Sequence, residues 1–125
     1  MKPSGSHERA CLGARVADQS RASSVTILDL RTLTPITDFF VLATGTSKRH
    51  VRTIADEIDH AYEKLGEQRH GIEGYGESRW ILLDYGDVVV HVLSQEVREF
   101  YDLERLWADA TVVNWDSDTA LSGDH

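Results

Sequence analysis

The sequence predicts an α/β sandwich in which helices flank one central sheet of mixed parallel and antiparallel strands. Three observations predict it. Apolar runs of strand length alternate with helical patterns, one of them long and strongly amphipathic. Two of the runs flank a tight "DYGD" connection, which makes at least one strand pair antiparallel. The length of 125 residues suits one domain with one core.

Residues 8–22 carry Ala10, Leu12, Ala14, Val16 and Ala17 among polar residues. This is a modest first helix, with residues 1–6 expected to be loose. Val25, Ile27 and Leu28 favour a strand over residues 25–30. Pro35 makes "RTLTPITD" a loop. "FFVLATG" reads as a buried strand ending at Gly45. Thr46 or Ser47 can cap the next helix, because a hydroxyl oxygen accepts a free N–H of the first turn. Along that helix Val51, Ile54, Ala55, Ile58, Tyr62 and Leu65 fall three or four apart, and Gly66 is a natural stop. "QRHGIEGYGESR" holds three glycines and reads as a loop, with a short strand near residues 69–73. Residues 79–84 and 88–93 form a hairpin, with Gly86 free to take the positive φ of its turn. Both runs are apolar almost throughout, so both faces are expected to be covered. "QEVREFYDLERLW" closes the domain with one or two short helices packed through Val97, Phe100, Tyr101, Leu103, Leu106 and Trp107. Residues 108–125 contain no Lys or Arg and no pattern, and read as an acidic, disordered tail to a domain of residues 1–107.

A composition of 41% hydrophobic and 27% charged residues fits a globular protein. No apolar run approaches the roughly 18 residues a membrane helix needs. The opening "MKPSGSHERACLG" lacks the apolar stretch of a signal peptide. The single cysteine, Cys11, excludes an internal disulfide and fits a reducing cytosol. The net charge of -8 disfavours naked DNA, RNA and anionic lipid, and suits a basic protein surface. Taken alone, that charge needs no reason beyond solubility.

"TGTSKRHVRTIADEI" looks at first like a phosphate site. It has one glycine where a P-loop has two, and it lacks the three glycines of a dinucleotide loop. Nucleotidyl transfer would pair Ser47 with metal-holding carboxylates on the next strand. The candidates, Asp84 and Asp87, stand at a turn, and the strand itself offers His91 in "VVVHV". The reaction is weakly supported. His50, His60, His70 and His91 show no metal-ligand spacing. Cys11, in a mobile first helix, is a poor nucleophile. His91 reads as a hydrogen-bonded structural histidine. For Asp84 and Asp87, turn chemistry is the plainer role. Trp80 poses the sharper question. It packs in the core, or it faces solvent beside Glu73, Glu77 and Asp84 as an aromatic anchor with an acidic rim. Its position leaves both open.

Taken in order, "LDL" at 28–30, "ITD" at 36–38, "TGTSKRHVRTIAD" at 44–56, "IEG" at 72–74, Trp80, "LDYGDVVVHV" at 83–92 and "REFYDLERLW" at 98–107 closely resemble the ribosomal silencing factor, or Iojap-like, family. The resemblance runs over residues 24–107. It implies a nucleotidyltransferase-like fold without the catalytic site, hence no enzyme activity, cofactor or metal. It also implies binding to the large ribosomal subunit through its basic fourteenth protein, a steric block to joining with the small subunit, and so repression of translation. By the same resemblance the family's motif residues fall on Trp80, on Asp84, Gly86 and Asp87, and on Glu73 and Gly74. Trp80, Asp84, Glu73 and Asp87 are then expected to face the ribosomal protein, with His91 and Tyr101 as further candidates. Residues 44–50 are expected to be architectural, with Arg49 and His50 tying the helix start to acids such as Asp38. Residues 1–22 match the family loosely. Members use that region in self-association, which implies a homodimer. The acidic tail is an addition to the pattern.

Overall fold

A computed structural model of the chain describes residues 5–102, 105 and 107–115. Helix α1 spans Ser6–Gln19, followed by strands β1 (Ser24–Asp29) and β2 (Phe39–Gly45), then helix α2 (Lys48–Lys64). Strands β3 (Gly71–Glu73), β4 (Trp80–Asp84) and β5 (Val88–Ser94), helix α3 (Gln95–Tyr101) and strand β6 (Thr111–Val113) complete the order. The strands form one sheet in the order β3-β4-β5-β2-β1-β6. Among the described strands only the β2–β5 pair is parallel. The predicted α/β class with a mixed central sheet is therefore the observed one.

Strand alternation divides the sheet into two faces. Ile27, Phe39, Val41, Ala43, Ile81, Leu83, Val90 and Val92 point to one of them and are fully buried under α1 and α2. The α2 stripe of Val51, Ile54, Ala55, Ile58 and Tyr62 supplies the opposing layer, while Leu65 lies past the last turn and is exposed. The other face carries Leu28, Phe40, Leu42, Trp80, His91 and Leu93 and, among the described residues, is covered only in part, by Val97 of α3 and by Trp107 and Ala110. Both hairpin faces were expected to be covered; among the described residues the second face is covered more thinly than the first. Leu82 and Val89 are only partly buried on that second face.

Three further readings change. Helix α1 is docked rather than mobile: Ala10, Ala14 and Ala17 are fully buried and Cys11 is 5% exposed. Residues 108–115 do not lie in a disordered tail, because Thr111–Val113 pairs with β1 at the edge of the sheet. A three-residue edge strand carries too little period to be read from sequence. Phe100 and Tyr101 are exposed, whereas Val97 alone of α3 is buried. Leu103, Leu106 and residues 116–125 lie outside the described residues.

Among the described residues Arg9 is the largest fully buried side chain, at 2% exposure. Its Nη1 donates to Glu67 Oε1 at 3.2 Å and to Asp87 Oδ1 at 2.8 Å, and its Nη2 bonds Asp87 Oδ2. The Tyr62 hydroxyl donates to the Arg9 carbonyl at 2.6 Å. One guanidinium thereby ties α1 to the end of α2 and to the β4–β5 turn.

Candidate functional site

Ser47, Gly45 and His50 shape the start of α2. Ser47 caps the helix, its Oγ accepting the His50 N–H at 3.0 Å. Gly45 is required because a Cβ there would come 2.8 Å from the Val51 nitrogen. His50 does not reach Asp38. Its Nδ1 accepts the Thr46 N–H at 2.9 Å, so its Nε2–H donates to the Ser20 carbonyl at 2.8 Å. Asp38 instead accepts from the Ser6 hydroxyl at 2.7 Å, and Arg49 is exposed.

This geometry separates the parts a nucleotidyl-transfer centre would need. Strands β2 and β5 run parallel, pairing Phe39 with Val88 at one end and Gly45 with Ser94 at the other. Ser47 follows the far end, while Asp84 and Asp87 flank the turn before Val88. Six residues of strand put them roughly 20 Å apart. They cannot share one metal ion. Among the described residues no group of three or more His, Cys, Asp or Glu is placed to hold a metal.

The partly covered face brings most of the predicted residues together. Register pairs Glu73 with Leu82 and Leu82 with His91, so these three form a row across β3, β4 and β5. Asp84 and Val89 form the next row, and Trp80 and Leu93 the preceding one. The Tyr101 ring lies 5.2 Å from the Trp80 ring. Gly74, at φ +79, holds the loop before β4 close to this strand, since a Cβ there would overlap the Trp80 carbonyl. The question of Trp80 is answered by both readings at once. Its indole is half-buried, and its Nε1–H donates to His91 Nδ1 at 3.1 Å. One edge belongs to the domain and the other is open beside Tyr101.

Asp87 is the exception among the six candidates. It points to the other side of the sheet, where Arg9 holds it. Its assignment to the docking face is therefore corrected, because its carboxylate is already paired within the chain. Asp84 does perform turn chemistry, its Oδ1 accepting the Gly86 N–H at 2.8 Å. It also lines a groove of about 560 Å³ with Glu73 and His91, between walls that include Phe40, Leu82, Val89 and Trp107. Sequence reasoning missed Thr37, Phe40 and Ile36 on this groove. The run "TPITD" gives a loop, and nothing in its composition shows which sheet face it overhangs.

His91 is 5% exposed and packs edge-on against Phe40 at 4.5 Å. Because Trp80 Nε1–H can only donate, the neutral imidazole carries its proton on Nε2. Burial disfavours the charged ring and pushes its pKa from 6.5 down to about 4. The unfolded chain therefore takes up this proton first as the pH falls. Stability from this site is full above about pH 6.5 and is lost progressively toward about pH 4. Between about pH 7 and about pH 5, the protein is expected to lose about 2 kcal/mol more unfolding free energy than the His91→Gln variant. Urea titrations of both proteins at the two pH values measure this, and parallel losses would refute it.

These features define a single-sheet α/β domain with an apolar, acid-rimmed groove on one face. Residues 3–124 match the family model described as ribosomal silencing factor during starvation, and the chain belongs to that family. The silencing factor of Bacillus subtilis is 38% identical over 105 residues, covering 84% of this chain and 89% of the relative. A mouse relative named mitochondrial assembly of ribosomal large subunit protein 1 is 32% identical over 92 residues, covering 71% of this chain and 40% of that protein. A crystal structure of a Chromobacterium violaceum protein superposes with a TM-score of 0.81 at 32% identity, covering 84% of this chain and 88% of that one. The relatives named silencing factors are named for regulation at the ribosome and not for catalysis. No helix among the described residues is long and apolar enough to cross a membrane.

Proposed function

We propose that this protein binds the large ribosomal subunit in the cytoplasm through the subunit's fourteenth protein and sterically blocks joining with the small subunit. It represses translation in this way and catalyses no reaction. The observation that carries the reading is the gathering of Trp80 and Tyr101 beside Glu73 and Asp84 on one incompletely covered face. An aromatic anchor inside an acidic rim suits a basic protein partner. The net charge of -8 favours approach to such a partner and opposes binding to bare ribosomal RNA. Sedimentation with isolated subunits tests the reading: the protein should travel with the large subunit alone. Co-migration with the small subunit, or with neither, would refute it.

The mouse relative's name favours a second reading, a helper in large-subunit assembly. Both readings use the same contact. Assembly predicts precursor particles when the protein is depleted, whereas silencing predicts intact subunits that join faster. A nucleotide-handling role through Ser47, Asp84 and Asp87 would give heat on titration with ATP and magnesium. The roughly 20 Å separation predicts a silent titration. The homodimer implied by the family remains part of the proposal, and the mass of the unbound protein reads it.

A further inference from the structure

The groove on the open face contains two polar atoms that a purely apolar contact would waste. His91 Nε2 and Thr37 Oγ1 are buried and have no hydrogen-bond partner among the described residues. The two residues are 5% and 6% exposed, and both line the groove that Glu73 and Asp84 rim. A buried donor without an acceptor is unfavourable, so an occupant that supplies the acceptor gains at this point.

The strand register gives the spacing an occupant must match. Glu73, Leu82 and His91 form one row, which puts Glu73 and His91 roughly 10 Å apart across two strand spacings. Asp84 lies diagonally from His91, about 7–8 Å away. Between the floor and the rim the surface is apolar, through Leu82 and Val89. The occupant must offer an acceptor to the floor and a positive charge to the rim, joined by an apolar stem. A Lys or Arg in an extended chain has this shape, with a carbonyl oxygen at one end and a cation roughly 6 Å from its Cα. Anionic ligands are opposed by the carboxylates and by the net charge of -8.

We propose that this groove reads the main chain of its partner as well as its charge: it takes an extended peptide segment bearing Lys or Arg, whose carbonyl accepts from His91 Nε2–H while its cation sits between Asp84 and Glu73. The Thr37 hydroxyl bonds the neighbouring peptide group. The inference rests on the proposed function in taking a basic protein as the occupant. It adds that His91 and Thr37 recognise backbone, so the segment must be extended at this point.

The test uses the intact protein labelled with nitrogen-15 and the pentapeptide acetyl-Ala-Ala-Lys-Ala-Ala-amide. Its counterpart with norleucine keeps the stem and removes the charge. The lysine peptide should move the His91 Nε2–H resonance saturably and bind about tenfold more tightly than the norleucine peptide. Butylamine, a cation without a carbonyl, should leave that resonance in place. The double variant Asp84→Asn, Glu73→Gln should bind the two peptides equally. Thr37→Val should weaken both peptides by about the same factor. Each variant is first checked for an unchanged amide spectrum, and Glu73→Gln alone, at an exposed position, serves if the double variant is altered. An unmoved His91 resonance at saturating peptide, or equal affinity of the wild type for the two peptides, would overturn the proposal. Neither result involves the ribosome. Loss of peptide binding with intact large-subunit binding therefore sinks the groove alone, and the reverse sinks only the proposed function.

Discussion

Arg9→Met is expected to lower the unfolding free energy by about 3 kcal/mol, a shift in the urea midpoint of roughly 2 M at a slope of about 1.5 kcal/mol/M. The methionine keeps most of the buried stem, so the loss isolates the charge. Without the guanidinium, Glu67, whose side chain is only 8% exposed, loses the cation that Arg9 holds 3.2 Å from its carboxylate. Asp87, with a side chain 34% exposed, can recover water and contributes less. The physical claim is that removing one member of a buried ionic cluster costs far more than the cluster contributes net. It follows that adding Glu67→Gln to Arg9→Met should restore roughly half of the loss, because the nearly buried carboxylate that lost the guanidinium no longer carries a charge. A single-variant loss under about 1 kcal/mol, or a double variant weaker than the single one, would contradict the account.

The second large effect is on binding. Trp80→Ala removes a half-buried ring that both anchors the open face and orients His91 through its Nε1–H. Losses of 2 kcal/mol or more are typical of such central aromatic anchors, so affinity for the large subunit should fall about thirtyfold. Asp84→Lys reverses a charge on the rim of the groove and should cost on the order of a hundredfold. It should also weaken the salt dependence of binding, because one attractive pair becomes repulsive. Glu57→Lys, an exposed reversal on α2 across the sheet, should leave affinity nearly unchanged. Pull-down or titration with isolated large subunits separates these outcomes. Equal effects of Asp84→Lys and Glu57→Lys would mean that net charge alone governs binding and that the face is wrongly placed.

What could be read in the sequence was what local pattern encodes. "FFVLATG" and the α2 stripe from Val51 to Tyr62 announce themselves because burial repeats every two or every three to four residues. Gly86 and Ser47 are legible for the same reason, since turn and cap chemistry depends on immediate neighbours. Arg9 was not legible. In a helix it looks like a solvated charge, and its partners stand 58 and 78 residues away. The same distance hid the true role of Asp87, which sits beside Asp84 in sequence and on the other side of the sheet in space. Thr37 and Phe40 were invisible as groove residues because a loop's composition does not tell which face it overhangs. Trp80 beside Glu73 and Asp84 was picked out from the residues themselves, the family resemblance added His91 and Tyr101, and period two explains why four of these five share a face.

The most direct measurement of the central claim is light scattering and gradient sedimentation of purified large and small subunits mixed with increasing amounts of this protein. The account predicts that joined ribosomes disappear in proportion to protein bound on the large subunit, without nucleotide, and that Asp84→Lys abolishes the effect at the same dose. Undiminished joining with the large subunit saturated by the protein would contradict it.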